Sequence, residues 1–157
     1  RYPRLSDLPR AGFAAGPCLF KDTMQLSAFY HNQFTLGQSG MLVNEGLPLF
    51  IVEQMSSRYA LASMTVGILG MAFKADSDNT RSSLSYKLKK LLRLRAKRVL
   101  TADPLVRSDP ELVPVPALLE QSDLVVIAVT HSEFRTLDFG GKPVVDVWNF
   151  LGDGCRF

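Results

Sequence analysis

Cys18 stands in a stretch of small residues, Gly12-Phe13-Ala14-Ala15-Gly16-Pro17-Cys18-Leu19-Phe20-Lys21-Asp22-Thr23. Lys21 follows three positions later and Asp22 after it, close to where a helix should begin. Glycine and alanine let backbone N–H groups come near an anion, and a helix start adds the positive end of its dipole. Both effects, with the charge of Lys21, favour the thiolate, the nucleophilic form of cysteine. The spacing alone fits a structural cysteine packed beside a turn equally well, because unpaired cysteine is among the most buried residue types.

A second stretch runs Val66-Gly67-Ile68-Leu69-Gly70-Met71-Ala72-Phe73-Lys74-Ala75-Asp76-Ser77-Asp78-Asn79-Thr80-Arg81-Ser82-Ser83. It reads as a short buried strand, a polar loop and a helix start. Gly67 and Gly70 lack the G-x-G-x-x-G spacing that cradles a dinucleotide pyrophosphate. Asp103 falls near the place where an acidic residue would hold an adenosine ribose, but Pro104 follows and the loop differs. These residues describe a Rossmann-like domain whose first loop recognises something other than NAD in the usual way. A signalling receiver domain, suggested by Asp103 at a strand end, lacks the paired acids after the first strand.

Together the two stretches resemble the UDP-glucose/GDP-mannose dehydrogenase family of nucleotide-sugar dehydrogenases. In that family the cysteine loop runs Gly-Phe-(Ala/Gly)-x-Gly-x-Cys-x-x-Lys-Asp, and the later motif is Gly-x-x-Phe-Lys-x-(Asp/Glu)-x-Asp-Asp-x-Arg-x-Ser. The resemblance covers nearly the whole chain but only the C-terminal part of such an enzyme. It implies a catalytic-cysteine loop and helical dimerisation segment over residues 1–63 and a nucleotide-sugar-binding Rossmann-like domain over 64–157. It further implies NAD-dependent oxidation of the C6 alcohol of a UDP- or GDP-sugar to the uronate. Cys18 would form the thiohemiacetal and thioester, with Asp22 orienting water or the loop, unless Asp22 serves as an ordinary helix cap.

Gly12, Phe13, Ala14, Ala15 and Gly16 match the backbone stretch that lies against the substrate, and Phe73 and Lys74 match the pair that contacts the nucleotide sugar. Lys21 and Arg81 match cofactor-contacting positions. Arg4 matches an arginine that some members insert into a neighbouring subunit's sugar site, with Arg1 and Arg10 as competitors. The resemblance implies a homodimer and an enzyme of polysaccharide biosynthesis. From the residues themselves, two distant cysteines point to a reducing cytoplasm and to no metal, no apolar run is long enough to span a membrane, and no nucleic-acid partner is expected. It also implies that the family's NAD domain lies upstream of Arg1 and that this chain alone turns over nothing. The departures are Pro17 and Phe20 in the cysteine loop, and Asp146-Val147-Trp148-Asn149 where the family often has Asp-x-Arg-Asn. Trp148 could stack on a base or fill a core. A non-catalytic nucleotide-sugar-binding or dimerisation module is the competing reading.

Composition agrees with an ordinary globular chain: 157 residues, 46% hydrophobic, 21% charged, net charge +3. Two distant cysteines give neither a disulfide framework nor metal-ligand spacing. Lys87, Lys89, Lys90, Arg93, Arg95, Lys97 and Arg98 alternate with leucines. That pattern predicts an amphipathic helix with a solvated basic face rather than a nucleic-acid site. His31 and His131 match no catalytic position and read as structural, and Cys155 has no assigned chemistry.

The elements that must hold these residues follow from the periodicity. Residues 1–22 read as loop, because Pro3, Pro9, Gly12, Gly16 and Pro17 interrupt regular structure. A helix is predicted over 23–34, capped by Asp22 or Thr23 and ended by Gly37 and Gly40. A second follows over 41–59 and is kinked or broken at Pro48. Strands are predicted at 65–69, 98–101, 124–129 and 143–147, and helices at 82–94 and 115–120. Apolar strands alternating with helices specify an α/β fold with a parallel sheet covered on both faces.

Overall fold

Four short runs make the sheet, the central two of them buried almost throughout. They are β1 (Thr65–Leu69), β2 (Arg98–Ala102), β3 (Leu124–Ile127) and β4 (Val144–Val145). The computed structural model describes residues 12–152, 154 and 156. All neighbouring strands are parallel in the order β2-β1-β3-β4, with Gly67 opposite Leu100 on one side and Val125 on the other. The chain leaves β1 toward β2 and then crosses back to β3. Right-handed crossovers therefore put α3 (Leu84–Arg93) and α4 (Val115–Gln121) on opposite faces. Val66, Ile68, Leu69, Leu124, Val125 and Ile127 are fully buried between them.

Ser83 caps α3 by accepting from the Ser85 N–H at 3.3 Å, and its hydroxyl donates to the Ala72 carbonyl at 2.9 Å. The start of α3 is thus bonded to the loop that leaves β1. The buried stripe of α3 is Leu84, Ser85, Leu88, Lys89 and Leu92. Lys89 is a correction to the solvated basic face. It is 4% exposed, and its ammonium lies 2.7 Å from Glu111 and 3.8 Å from Asp109. Two carboxylates offset the cost of burying that charge. Lys87 is also engaged, donating to the Glu45 carbonyl of α2 at 2.6 Å and to its carboxylate at 3.2 Å.

Ahead of the sheet lie two helices, α1 (Leu19–Phe29) and α2 (Thr35–Arg58). α1 begins four residues earlier than the 23–34 prediction. Cys18 takes the N-cap position without a side-chain bond, and the Asp22 N–H closes the first turn on the Cys18 carbonyl at 2.8 Å. Neither Asp22 nor Thr23 caps this helix. Asp22 lies in its first turn, where its charge complements the helix dipole, and Thr23 donates back to the Leu19 carbonyl. The helix also stops earlier, at Phe29, because His31 and Asn32 adopt left-handed backbone with φ of 52° and 61°.

Gly37 and Gly40 do not end a helix. Both lie inside α2, where the Phe34 ring occupies the space that a side chain on Gly37 would need. α2 also runs through Pro48 without a break. Ile51, Val52 and Met55 of α2 are buried in the core shared with the sheet, and α2 packs on both α1 and α3. A turn of 3₁₀ helix, Leu61–Ser63, leads into β1. α2 starts six residues before the predicted 41, and the ends of the strands, α3 and α4 lie within two residues of the sequence reading, several of them coinciding with it. Among the described residues no helix is long and apolar enough to cross a membrane.

Candidate functional site

A parallel sheet that winds both ways from β1 leaves a crevice beyond the carboxyl ends of β1 and β3, where the connections diverge. That crevice is present here. Its walls are Ala72, Phe73, Lys74 and Ala75 after β1, Ala128, Val129 and Thr130 after β3, and Trp148 after β4. Gly12 and Phe13 of the cysteine loop close one side, and Ser83 brings the N-terminus of α3 to the rim. Gly70 permits this convergence. Its φ is +91°, and a Cβ there would lie 2.5 Å from the Val129 side chain.

Aromatic packing shapes the cleft. Trp148 is nearly buried, and its indole N–H donates to the Ala128 carbonyl at 3.2 Å. Phe13 meets it edge-on, with centroids 4.9 Å apart at 74°. Trp148 is therefore both a core residue and a wall of the cleft. Lys74 is exposed, and its ammonium sits 5.5 Å from the Phe73 ring centroid. A cation beside a helix N-terminus makes a rim suited to an anionic group, while the aromatic wall suits a flat ring.

The cysteine loop is held against this cleft by two contacts. Gly16, at φ +114°, faces Phe73 so closely that a Cβ would lie 2.9 Å from the ring. Asn44 of α2 accepts from the Ala14 N–H at 2.9 Å and donates to the Ala14 carbonyl at 2.6 Å. Ala14, Ala15 and Gly16 line a neighbouring recess with Phe20, Glu45, Lys87 and Lys90, and Ser83 borders both hollows.

Cys18 is exposed and faces a separate shallow recess with Leu19, Asp22, Thr23 and Leu26. Lys21 pairs with Asp22 at 3.1 Å, both on the surface. Arg81 is exposed, and its backbone and guanidinium nitrogens donate to the Asn79 side chain at 3.0 and 3.3 Å. The structure thus joins Gly12, Phe13, Phe73 and Lys74 in one cleft, places Ala14, Ala15 and Gly16 next to it, and leaves Cys18, Lys21, Asp22 and Arg81 outside its lining. Arg4, with Arg1 and Arg10, lies outside the described residues, as does Cys155.

Sequence reasoning missed a buried polar cluster behind the cleft. The Asp103 carboxylate accepts from the Met71, Ala72, Leu105 and Val106 N–H groups at 2.7 to 3.0 Å. It also accepts from His131 Nε2 at 3.0 Å. Burial opposes its ionisation, but the His131 bond and those from Met71, Leu105 and Val106 outweigh that and hold the carboxyl well below the usual range. Hydrogen bonds from the Ser132 side chain and backbone lower Asp76 in the same way. The available signal was positional: Asp103 directly follows β2, and His131 lies just beyond β3, on the edge where ligands bind.

This cluster also tests whether the sheet could hold a dinucleotide in the Rossmann manner. Both Asp103 oxygens are already occupied by N–H donors, so neither can take a ribose hydroxyl. Gly67 is buried inside β1 under Leu118 and is not available to a pyrophosphate. The residues of this sheet do not fit NAD in that way.

The fold and cleft define the class: a doubly wound α/β domain with an aromatic-walled ligand crevice at its switch point. Residues 67–153 match the UDP-glucose/GDP-mannose dehydrogenase family, UDP binding domain. The chain belongs to that family. It is 30% identical over 146 residues to a UDP-N-acetyl-D-mannosamine dehydrogenase from Pyrococcus horikoshii, covering 90% of this chain and 32% of that protein. The solved structure of a UDP-D-ManNAc dehydrogenase from Pyrococcus horikoshii superposes with a TM-score of 0.79 at 28% identity, covering 95% of this chain and 38% of the other. A UDP-glucose dehydrogenase from Pyrobaculum islandicum superposes with a TM-score of 0.74 at 31% identity, covering 84% and 34%. The chain spans about a third of the length of these relatives.

Proposed function

We propose that this chain is the nucleotide-sugar-binding and cysteine-bearing part of an NAD-dependent nucleotide-sugar 6-dehydrogenase, cytoplasmic and acting on a UDP- or GDP-sugar. The observation that supports it most is the meeting of Gly12 and Phe13 with Phe73 and Lys74 in one cleft at the switch point, beside the N-terminus of α3. In this reading residues 64–157 hold the nucleotide and residues 1–63 bring the cysteine loop. Lys74 and the start of α3 offer charge and dipole to the diphosphate. Phe13, Phe73 and Trp148 form the apolar wall, and Gly12 to Gly16 lie along the sugar. Cys18 supplies the thiol that adds to the C6 aldehyde, and Asp22 orients its loop or a water. NAD serves as hydride acceptor from a part of the protein outside this sheet, with Lys21 and Arg81 on the side facing it.

Calorimetric titration with UDP tests the nucleotide assignment. UDP should bind the chain, and Lys74→Ala should weaken it about tenfold, the effect of losing a charge-assisted contact. An unaltered affinity in the variant, or no UDP binding at millimolar concentration, would count against the cleft.

A second reading, a non-catalytic nucleotide-sugar-binding or dimerisation module, draws on the separation of Cys18 from the cleft lining. Both readings include a homodimer through the helical segment. Phe29, Leu36, Leu42 and Val43 of the two helices are each more than two-thirds exposed, and these apolar side chains would be covered in such a dimer. Equilibrium sedimentation at tens of micromolar should give twice the chain mass, and a single monomeric species would remove the dimer from the proposal.

A further inference from the structure

The segment carrying Phe73 and Lys74 is tied down at both ends by one buried system. At its start, the Met71 and Ala72 N–H groups donate to Asp103 Oδ2 at 2.7 and 3.0 Å. At its end, the Asp76 N–H donates to His131 Nδ1 at 3.0 Å. His131 Nε2 meets the same Asp103 oxygen at 3.0 Å, so a single imidazole links the two anchors. The ring is completely buried, with Phe134 edge-on at 5.3 Å.

The partners fix the protonation pattern of that ring. A backbone N–H can only donate, so Nδ1 must be the unprotonated acceptor and Nε2 must carry the proton given to Asp103. Asp76 then closes the loop from outside. Its carboxylate accepts from the Ser132 N–H at 2.8 Å and from the Ser132 hydroxyl at 2.6 Å, joining the β1 loop to the residues that follow β3. Asp76 does this in left-handed backbone, φ 53°, a conformation that Asp, Asn and Gly accept better than other residues. Between the anchors, Phe73 has one further tie, its N–H to the Asn79 carbonyl at 2.9 Å.

We infer that His131 and Asp76 are positioning residues: His131, held as one tautomer between Asp103 and Asp76, and the Asp76–Ser132 clasp together fix Phe73 and Lys74 at the mouth of the cleft. The consequence for ligand affinity rests on the nucleotide reading of that cleft. The mechanical part does not. Neither residue lines the cleft, so their effect passes through the placement of Phe73 and Lys74.

Asp76 is the residue to change, because it is exposed and the core does not depend on its side chain. Asp76→Gly keeps the left-handed backbone and removes the clasp, whereas Asp76→Asn keeps both the backbone preference and a carbonyl acceptor for Ser132. Asp76→Gly should weaken UDP binding about tenfold with little change in melting temperature, and Asp76→Asn should restore most of it. Amide exchange at Phe73 and Lys74 should quicken in Asp76→Gly and not in Asp76→Asn. Nitrogen spectra of the wild-type imidazole should show Nε2 protonated and Nδ1 not. If the wild type binds no UDP while exchange responds as stated, the nucleotide reading fails and the positioning role stands. Unchanged exchange in Asp76→Gly, or a protonated Nδ1 in the resting state, overturns the inference whatever the ligand result.

Discussion

Cys18→Ser in the dehydrogenase proposed above is expected to cut the overall oxidation of a nucleotide sugar to its uronate by at least about a thousandfold, since a serine hydroxyl lacks both the nucleophilicity of a thiol and its quality as a leaving group. UDP affinity should stay within about twofold, well below the effect of one lost hydrogen bond. The split follows from where the residue sits. Cys18 is exposed at the N-cap of α1, and its side chain makes no capping bond there. Replacing the sulfur by oxygen therefore removes a reactive group without removing a structural one. Nor does it line the cleft formed by Phe13, Phe73, Lys74 and Trp148, so the proposed nucleotide contacts do not depend on it. Steady-state NADH formation measured alongside UDP titration reads both quantities. Turnover at the wild-type rate would remove Cys18 from the chemistry and favour the non-catalytic module. A joint loss of turnover and binding would place the thiol at the nucleotide instead.

What the sequence disclosed, and what it hid, follows from the range of the interactions. The four strands were legible because their Val-, Ile- and Leu-rich runs are short, β-branched and bounded by polar breaks, which favours buried strands over helix. The Gly12–Thr23 and Val66–Ser83 motifs were legible because each is local. The start of α1 differs from the sequence reading because no side chain caps it. Asp22 and Thr23 have the right chemistry, but the turn closes by a backbone bond from Asp22 to Cys18. The glycines of α2 misled for a related reason. An interior glycine costs a helix about 1 kcal/mol, and the packing of α2 on α1 and α3 offsets that cost.

Lys89, Asn44 and Asp103 were illegible because their partners are remote. Lys89 is buried against Glu111, 22 positions away, and Asn44 pairs with Ala14, 30 positions away. No helical period contains that information. The consequence for function is that the sequence showed which residues belong to each motif, while the contacts that bring the motifs together came only from the fold. Gly16 against Phe73 is the clearest case: two stretches more than fifty residues apart meet at a place where only glycine fits.

Asp103→Ala, directly after β2, should destabilise the fold by about 3–5 kcal/mol, the range for breaking a buried charged hydrogen-bond system. The side chain is fully buried and its carboxylate serves Met71, Ala72, Leu105, Val106 and His131 together. Alanine leaves all of these N–H groups without an acceptor, and burial keeps water from replacing it. Asp103→Asn should also destabilise, because its amide nitrogen turns a donor toward groups that are donors themselves. The same residue fixes the sign of a pH effect. Its native carboxyl binds a proton less readily than in the unfolded chain, which therefore takes up more protons in acid. Its contribution is complete at neutral pH and is lost as pH falls below the ordinary aspartate value of about 4. Chemical denaturation between pH 7 and pH 3 should show wild-type stability falling more steeply than that of Asp103→Ala. Parallel slopes would mean that the carboxyl binds protons equally well in the folded and unfolded chain, which would contradict an ionised carboxylate held by His131 and the N–H groups of the cleft loops.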